Sequence, residues 1–544
     1  MNIYIIFSLF LFISLKFIGL SYGLPFFLVS DEEVVVGSAL RMLELKSFIP
    51  AFYPEEMKIL TYPPMLPIII IITISPIILY LFTIPSSFNV HILKILSYEN
   101  IDLFFLAGRF GSVCINLITI FIVYKVCVKF LKSKSIAIIA VIFLITDFTF
   151  NLTSHFVRHW NLTTLFIWAT IFYSINLFKS NESKNYYLAS ILSGVGFGIS
   201  YVFGSFGYLI FNLVHFLKYK LKNIRCFFIS IVLFITICFV NIISHPFALF
   251  RLIENKEGNV TALYENQYLL DTLFYFLKGL FFTNPVILFT SICTLFYLIF
   301  SKKMSKLHLL LVIFVFGFLI TVHLTTKVEF RYVLPIIPAL AIFSGIGINM
   351  LLKNKNKFTQ LLILIFVFFY PFSSSAYMSF LLGKEDTRIM TLKWISSNLD
   401  YGIKIANGMK NINLDKKIYG NSNINYKNIT KLKENYKIID FSSKFNKKED
   451  NENLYKKEIH KRNFDYVIIN YVNSDKKFYR ISKNFYKELS ENFELYHKIT
   501  PSLENASPPD LHSTKGFYFP VYNLLSFKRL GPSIEIFKAK ASFK

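Results

Sequence analysis

An acidic pair, Asp31-Glu32, stands directly after the first apolar stretch of the chain. The same polar segment continues to Tyr62-Pro63-Pro64, and a late apolar stretch opens with Arg331-Tyr332. Carboxylates at a membrane surface are energetically costly unless they have a partner or a chemical role. The arrangement therefore predicts chemistry at a membrane face, on a substrate that the lipid bilayer carries.

Cations and carboxylates also stand at the ends of other apolar stretches, at the level of lipid head groups. The set comprises Asp31, Glu32, Arg109, Arg158, His323, Lys327 and Arg331. An acid can take a proton from an attacking hydroxyl, and cations can hold a leaving phosphate. These residue types indicate group transfer from a lipid-linked phosphate. Wet outer loops also tolerate charge, so any single member of the set can be structural.

Histidine and carboxylate side chains could instead bind a divalent metal, and the candidates are Glu55, His155 and His323. No short metal-ligand spacing supports such a site. His155 and His159 have helical spacing but lack the glutamate of an HExxH motif, and the five cysteines form no CxxC pair. The sequence thus requires no cofactor, and a divalent metal stays an open alternative.

The elements that must position these residues are membrane helices. Of the 544 residues, 54% are hydrophobic and 62 are Phe, and about 20 apolar residues suffice to cross about 30 Å of hydrocarbon. A net charge of +25 would suggest nucleic acid in a soluble protein. Most of the excess lies in short loops between apolar stretches, where it sets topology. The sequence predicts a polytopic α-helical protein in the lipid bilayer, with no nucleic-acid partner.

Apolar spans are predicted along most of the first 380 residues. They are 3–22, 103–124, 135–153, 160–178, 186–203, 205–217, 226–244, 284–300, 307–324, 332–352 and 359–379. Basic loops mark the cytoplasmic side, and their alternation keeps residues 23–102 outside as a large first loop. The stretch 64–84 is expected to lie at the interface or to re-enter, because its prolines interrupt a continuous helix. If this stretch crosses the membrane together with a weaker segment near 88–100, the number of membrane helices rises from 11 to 13. The sequence therefore predicts 11–13 membrane helices.

Two domains follow from this pattern. Residues 1–380 are predicted to form the membrane catalytic domain, and 381–544 a soluble extracytoplasmic α/β domain. In the second domain, 465–470 and 533–537 have the composition of strands, and 387–398 and 481–492 that of helices.

The order of these elements resembles the membrane-embedded GT-C glycosyltransferases. The most similar branch is the protein O-mannosyltransferase and aminoarabinose-transferase-like group (glycosyltransferase family 39 and its bacterial relatives). Asp31-Glu32 resembles that group's first-loop acidic pattern, and Tyr62-Pro63-Pro64 resembles its YPP element. Arg109 resembles the Arg of its next spanning helix, and Arg331-Tyr332 with the prolines that follow resembles its late RY element. The resemblance covers most of the chain, including Trp394-Ile395 and the closing Gly531-Pro532 of the soluble domain.

The resemblance implies a sugar donor on a polyprenyl phosphate and an inverting single displacement at the outer face. It assigns the catalytic base to Asp31, with Glu32 as the close alternative. We expect the donor phosphate among Arg109, Arg158, Lys327, Arg331 and Tyr332, and a substrate loop at Tyr62, Pro63 and Pro64. Many relatives carry an Asp after the third crossing, where this chain has Trp160-Asn161, and an Asn side chain cannot act as a base.

The expected activity is transfer of the sugar to a glycolipid, polysaccharide or protein of the envelope, in the cytoplasmic (inner) membrane of a bacterium. Two alternatives remain. A lipid-linked polysaccharide polymerase or ligase would have its large outer loop late in the chain. A membrane transporter would carry charges at mid-membrane and broken helices in two similar halves.

Overall fold

The structure is a computed structural model that describes residues 3–24, 28–29, 31–57, 60–83, 100–220, 222–247, 268–325, 329–408, 436–440, 459, 463–471, 483–503 and 524–541. The chain divides into two compact units. The first comprises Met1–Phe17, Val34–Ile77 and Phe105–Ala376. The second comprises Ile18–Glu33, Ile78–Phe104 and Tyr377–Lys544.

The described part is mostly helical as far as residue 398. In chain order the helices are α1 (Ile3–Phe17), α2 (Glu32–Glu44), α3 (Met65–Thr83), α4 (Ile101–Val126), α5 (Lys134–Thr146), α6 (Phe148–Ser154), α7 (His159–Asn176), α8 (Ser183–Ser200), α9 (Gly207–Lys218), α10 (Ile224–Ser244), α11 (Leu269–Thr283), α12 (Pro285–Phe300), α13 (Lys306–Thr325), α14 (Ile337–Leu352), α15 (Lys357–Leu382) and α16 (Thr387–Asn398). A 3₁₀ helix, Phe330–Ile336, leads into α14.

Several of these helices have the length and composition of membrane spans. Five are long and apolar enough in the described part of the chain: Ile101–Leu131, Ile224–Ser244, Lys306–Leu324, Phe330–Leu352 and Lys357–Asn398. The number becomes seven if each of two bent helix pairs counts as one span. A polytopic helical membrane protein is therefore confirmed, whereas the total of 11–13 spans stays a prediction.

The structure corrects one part of the prediction for the stretch 64–84, the interruption of its helix by prolines, and its interfacial or re-entrant position stays a prediction. Residues Met65–Thr83 form one helix with Pro76 inside it. Proline lacks the N–H that would bond the carbonyl four residues earlier, here that of Ile72. The Ser75 hydroxyl donates to that carbonyl oxygen at 2.8 Å, so the acceptor keeps a partner and the helix continues. The weaker segment near 88–100 lies almost wholly outside the described residues.

Two predicted boundaries also differ from the structure. The span 135–153 is two helices, α5 and α6, bent by 61°. No span is predicted between 226–244 and 284–300, but helix α11 lies there and forms a pair with α12 that is bent by 119°. Both breaks carry a capping residue, Asp147 before α6 and Asn284 before α12, because each new helix start needs an acceptor for its first N–H groups.

Glycines allow close helix contacts in the first unit. A Cβ at Gly194 of α8 would lie 2.8 Å from Cβ of Ile237 in α10. Gly198 meets Asn241 one turn further along the same pair of helices. The Gly194-Val-Gly-Phe-Gly motif is thus a small-residue helix contact rather than a phosphate loop.

The second unit contains a five-stranded sheet. Its strands are β1 (Lys404–Asn407), β2 (Lys437–Asp440), β3 (Tyr466–Tyr471), β4 (Phe493–Ile499) and β5 (Ser533–Ala539), in the spatial order β2-β1-β3-β5-β4. Strands β2, β1 and β3 are parallel, and β5 is antiparallel to both of its neighbours. The strands predicted near 465–470 and 533–537 are confirmed as β3 and β5.

Helices cover both faces of the sheet, because successive side chains of a strand point to opposite faces. Ile468 and Ile536 belong to the hydrophobic cluster that includes Leu392 of α16. Their neighbours Val467 and Phe537 belong to the cluster on the other face, which α17 (Lys483–Asn492) completes. The helices predicted at 387–398 and 481–492 are confirmed, and the α/β character of the C-terminal region follows.

Candidate functional site

A row of aromatic rings connects three separate parts of the first unit. The ring of Tyr62 lies 4.9 Å from that of His159, and the ring of His159 lies 4.5 Å from that of Trp160. The Trp160 ring lies 4.5 Å from the Tyr332 ring, at 33° between their planes. The structure therefore brings two residues of the predicted site, Tyr62 and Tyr332, to the ends of one continuous aromatic surface.

The row owes its geometry to helix α7 and the 3₁₀ helix Phe330–Ile336, which pack together. The indole Nε1 of Trp168 donates to the carbonyl oxygen of Pro335 at 2.9 Å. This carbonyl lies in a stretch that contains Pro335 and Pro338, and prolines have no backbone N–H to donate to nearby carbonyl oxygens. The bond holds Tyr332 beside the start of α7, where His159 and Trp160 stand.

Two predicted phosphate-binding arginines flank this row. Arg158 is the residue that precedes α7 and is 5% exposed. Arg331 precedes Tyr332 and forms an ion pair with Glu329, with 2.6 Å between Nη2 and Oε2. Arg158 directly precedes His159, and Arg331 directly precedes Tyr332, so the aromatic row brings both arginines to the same region of the first unit. Two guanidinium groups from separate chain segments are suited to binding phosphate.

The charge state of His159 follows from these neighbours. His159 precedes the predicted span 160–178. Burial, together with the positive charges of Arg331 and Arg158, lowers its pKa well below the usual value. The imidazole is therefore neutral at physiological pH, and the two guanidinium groups carry the positive charge of the site.

Arg109 lies beside the turn that carries Arg158. It is fully buried in α4, and its guanidinium carbon lies 5.5 Å from the centroid of the Phe156 ring. A Cβ on the preceding Gly108 would lie 2.8 Å from Cγ2 of Val157. Only glycine lets α4 approach the turn this closely, which explains the Gly108-Arg109 pair of the motif.

The predicted substrate loop is fixed by its own small core. Pro63 and Pro64 are buried, and Tyr62 packs against a cluster that contains Met57 and Leu60. The carbonyl oxygen of Leu60 accepts a hydrogen bond from the imidazole of His245 at 2.9 Å. Tyr62 therefore enters the aromatic row from a loop that is held in place on both sides.

Asn161 has a structural role at the position where many relatives carry an Asp. Its Nδ2 donates to the carbonyl oxygen of Thr153 in α6 at 2.8 Å. An ionised Asp could not donate this bond and would place a charged oxygen against a carbonyl oxygen. The amide therefore joins the end of α6 to the start of α7, the two helices between which Arg158 lies.

The predicted base belongs to the second unit. Asp31 has a φ of +71°, in the left-handed region that side chains rarely adopt. Glu32 is fully buried and begins helix α2. The sequence assigned these two carboxylates but gave no sign of the backbone conformation of Asp31.

The metal candidates do not come together. His155 is buried and its Nδ1 contacts the Asn151 carbonyl oxygen at 2.9 Å, and His323 bonds Oγ1 of Thr272 at 2.8 Å. Glu55 is exposed. Among the described residues, no group of three or more His, Cys, Asp or Glu side chains could hold a metal ion. Lys327 lies outside the described part of the chain.

A comparison with protein families gives one match. The family described as dolichyl-phosphate-mannose-protein mannosyltransferase matches residues 104–245. The matched part includes Arg109, Arg158 and the start of α7. No curated protein matches the sequence.

Solved structures give further matches along most of the chain. The oligosaccharyltransferase of Archaeoglobus fulgidus, solved with Zn and sulfate, is 10% identical with a TM-score of 0.50, over 92% of this chain and 72% of that one. ArnT from Cupriavidus metallidurans is 11% identical over 91% of this chain and 95% of that one. Its TM-score is 0.47 in the apo state and 0.46 with undecaprenyl phosphate bound.

These matches confirm the resemblance to GT-C glycosyltransferases and the predicted fold class. The protein is an integral membrane protein, and the family match supports a glycosyltransferase as its enzyme class. Because the sequence identity to these structures is only 10–11%, the structural similarity shows the fold alone.

Proposed function

We propose that the protein transfers a sugar from a polyprenyl-phosphate donor to an acceptor hydroxyl at the outer face of the membrane. The observation that carries the proposal is the aromatic row in which Tyr332, directly after Arg331, packs on Trp160 beside His159, directly after Arg158. The matched family is described by a polyprenyl-phosphate sugar, dolichyl-phosphate-mannose, and its match includes Arg158.

The arginines would bind the phosphate of the donor and stabilise it as it leaves. Guanidinium groups bind phosphate through paired hydrogen bonds and keep their charge at any physiological pH. In the reaction, the acceptor oxygen forms a bond with the anomeric carbon while the bond from that carbon to the phosphate oxygen breaks. The electron pair goes to the polyprenyl phosphate, whose added charge the cations neutralise.

The proton of the acceptor hydroxyl would pass to the carboxylate of Asp31, with Glu32 as the alternative base. Attack from the face opposite the leaving phosphate inverts the anomeric centre, as the resemblance implies. The rings of Trp160 and Tyr332 offer apolar surfaces against which the C–H face of a sugar can pack. The proposal assigns no step to a metal ion.

The location and the acceptor are parts of the same proposal. Basic loops such as Lys302-Lys303 support a cytoplasmic side opposite the first loop. We place the site and residues 381–544 outside the inner membrane of a bacterium, with a glycolipid, polysaccharide or protein of the envelope as acceptor.

One observation fits the transporter alternative. Broken helices are typical of transporters, and the described part contains two bent pairs, α5 with α6 and α11 with α12. The first pair lies inside the residues that match the mannosyltransferase family. Broken helices are therefore compatible with a transferase, and we favour that function.

The test is mass spectrometry of envelope glycans and glycolipids in five strains. These are a deletion, the deletion rescued with the intact gene, and three rescues with Asp31→Asn, Glu32→Gln and Glu44→Gln. Glu44 ends helix α2, which begins directly after Asp31, and it pairs with Arg41, so it serves as the matched control.

A sugar that is lost on deletion, restored by the intact gene and by Glu44→Gln, and absent with Asp31→Asn would establish the transferase and its base. Unchanged glycans in the deletion strain would refute the proposal. Restoration by Asp31→Asn together with loss in Glu32→Gln would move the base to Glu32.

A further inference from the structure

The segment that ends at Asp31 is bound to the C-terminal part of the chain, within the second unit. The hydroxyl of Tyr22 donates a hydrogen bond to Oδ2 of Asp386. Both residues are buried, at 3% and 0% exposure. This bond joins residues that are 364 positions apart in the sequence, so the local sequence does not reveal it.

Asp386 is itself held rigidly. Its Oδ1 accepts hydrogen bonds from Nε of Arg388 at 2.8 Å and from the backbone N–H of Arg388 at 2.9 Å. Its Oδ2 accepts a bond from Nη2 of Arg388 at 2.9 Å. The paired geometry fixes the carboxylate as well as neutralising it.

A buried ion pair is a poor source of stability, because removing two charges from water offsets much of their attraction. Its use here is geometric. The Tyr22–Asp386–Arg388 cluster stands at the start of α16, where Asp386 is the N-cap. It gives Tyr22 one defined position relative to that helix.

Two further contacts hold the same segment. Gly19, at a φ of +90°, lies so close to α15 that a Cβ there would be 2.9 Å from the carbonyl carbon of Leu382. Leu28 is 1% exposed in the cluster with Leu392 and Ile536. The segment is therefore attached before, at and after Tyr22, and its last attachment is close in sequence to Asp31.

Asp31 itself needs such support. A φ of +71° is unfavourable for any residue with a Cβ and persists only where the surroundings impose it. Glu32, the next residue, is fully buried at the start of α2. Strained backbone conformations of this kind are typical of functional positions.

We infer that Tyr22, Asp386 and Arg388 form a positioning cluster that fixes the backbone of the Asp31 segment for proton abstraction. The inference rests on the proposed function, since it assigns Asp31 as the base. None of the three residues takes part in the reaction. They act through the segment that carries the carboxylate, and misplacing a catalytic group by about 1 Å can cost about a hundredfold in rate.

The test compares purified full-length protein carrying Tyr22→Phe or Arg388→Lys with the wild type. Tyr22→Phe removes the hydrogen bond to Asp386, and Arg388→Lys keeps the positive charge but removes the two paired guanidinium bonds. Tyr436→Phe is the matched control, because the Tyr436 hydroxyl is also buried in the second unit and bonds the carbonyl oxygens of Ile395 and Leu399 at 3.2 and 3.1 Å.

Three measurements are made on each protein. Hydrogen exchange is followed in peptides that cover 18–33 and in peptides of strands β3 and β5. Affinity is measured with undecaprenyl phosphate as the probe. Turnover is measured with the undecaprenyl-phosphate donor of the sugar that the glycan analysis identifies.

For Tyr22→Phe and Arg388→Lys we expect faster exchange at 18–33 alone and kcat lower by about ten- to a hundredfold. We expect KM and the affinity for undecaprenyl phosphate to change by less than about twofold, because the cluster acts on the base and not on the phosphate site. Tyr436→Phe should show none of these effects at 18–33.

Wild-type kcat in Tyr22→Phe and Arg388→Lys would overturn the inference, and so would faster exchange throughout the sheet, which marks a general loss of structure. Failure of the proposed function is recognised separately. Full activity of Asp31→Asn would refute the base, and with it this inference, whatever the exchange data show.

Discussion

Nδ2 of Asn284 donates a hydrogen bond to Oδ2 of Asp147 at 3.1 Å, and each of these residues caps the helix that follows a sharp bend. Oδ1 of Asp147 accepts the N–H of Phe150 at 2.8 Å, and Oδ1 of Asn284 accepts that of Ile287 at 3.1 Å. One bond thus joins the two broken helix pairs of the first unit at their breaks. The capping groups of both pairs are interdependent.

We predict that Asp147→Ala strongly destabilises the protein. The change removes the cap of α6 and leaves the buried amide of Asn284 without its partner. A lost helix cap costs about 0.5–2 kcal/mol, and a buried donor left unpaired costs about 1–3 kcal/mol more. The measurement is the unfolding free energy in mixed detergent micelles. Asn356→Ala, which removes an exposed cap of α15, is the control and should cost only about 1 kcal/mol. Equal losses in the two variants would contradict the prediction.

We predict that Arg158→Gln and Arg331→Gln weaken binding of the carrier phosphate. Each removes a charged donor near His159, and hydrogen bonds to charged groups contribute about 1.5–3 kcal/mol. The expected dissociation constant for undecaprenyl phosphate is higher by about ten- to a hundredfold. Binding is measured by the change in intrinsic fluorescence of the purified protein. The control is Arg225→Gln, an exposed arginine at the start of α10, and an equal effect there would argue for non-specific attraction.

We predict that Tyr332→Leu separates sugar binding from phosphate binding. The Tyr332 ring lies 4.5 Å from the Trp160 ring and forms the end of the aromatic row. The substitution removes this ring but keeps the guanidinium groups of Arg158 and Arg331. The KM for the complete donor should rise about tenfold, in line with an aromatic contact of about 1.5 kcal/mol. The affinity for undecaprenyl phosphate should stay unchanged. Tyr297→Leu, an exposed tyrosine of α12, is the control. A parallel loss of both affinities would place Tyr332 at the phosphate instead.

We predict that Gly108→Ala disturbs the turn between α6 and α7. The new methyl would lie 2.8 Å from Cγ2 of Val157, closer than carbon atoms pack, so the buried Val157 side chain must shift and push on the turn that carries it. Overpacking costs about 1–3 kcal/mol, and the shift of Arg158 should reduce phosphate affinity as well. The double variant Gly108→Ala/Val157→Ala creates room and should restore binding. Gly317→Ala, with its nearest neighbour at 3.2 Å, is the control. Absence of rescue would refute the steric cause.

The sequence was sufficient for the long apolar helices and for the two central strands, because a continuous apolar run and a β-branched segment are local signals. It was not sufficient for α2 or for α3. Helix α2 mixes acidic and apolar residues around Gly37 and has no apolar run. Helix α3 continues through Pro76 because the Ser75 hydroxyl donates to the carbonyl oxygen of Ile72. The general expectation that proline interrupts a helix does not take such a side-chain bond into account.

The candidate site was predicted in its residue types but not in its connections. The arginines and Tyr62 were assigned from their motifs, whereas His159 and Trp160, which join Tyr62 to Tyr332, were not assigned to the site. Ring contacts between segments this far apart in sequence depend on helix packing, which no local pattern encodes. The same holds for Tyr22, whose partner Asp386 is known only from the fold.

Strand β5 is the last of the five described strands to be synthesised, yet it lies between β3 and β4 in the sheet. Ile536 of this strand packs in the same cluster as Leu28, from the segment that leads to the acidic pair. Chains emerge from the ribosome with the N-terminal part first, so the contact of this segment with Ile536 must wait until β5 has been synthesised. The order of translation therefore delays the packing of the segment that leads to Asp31 against the completed sheet.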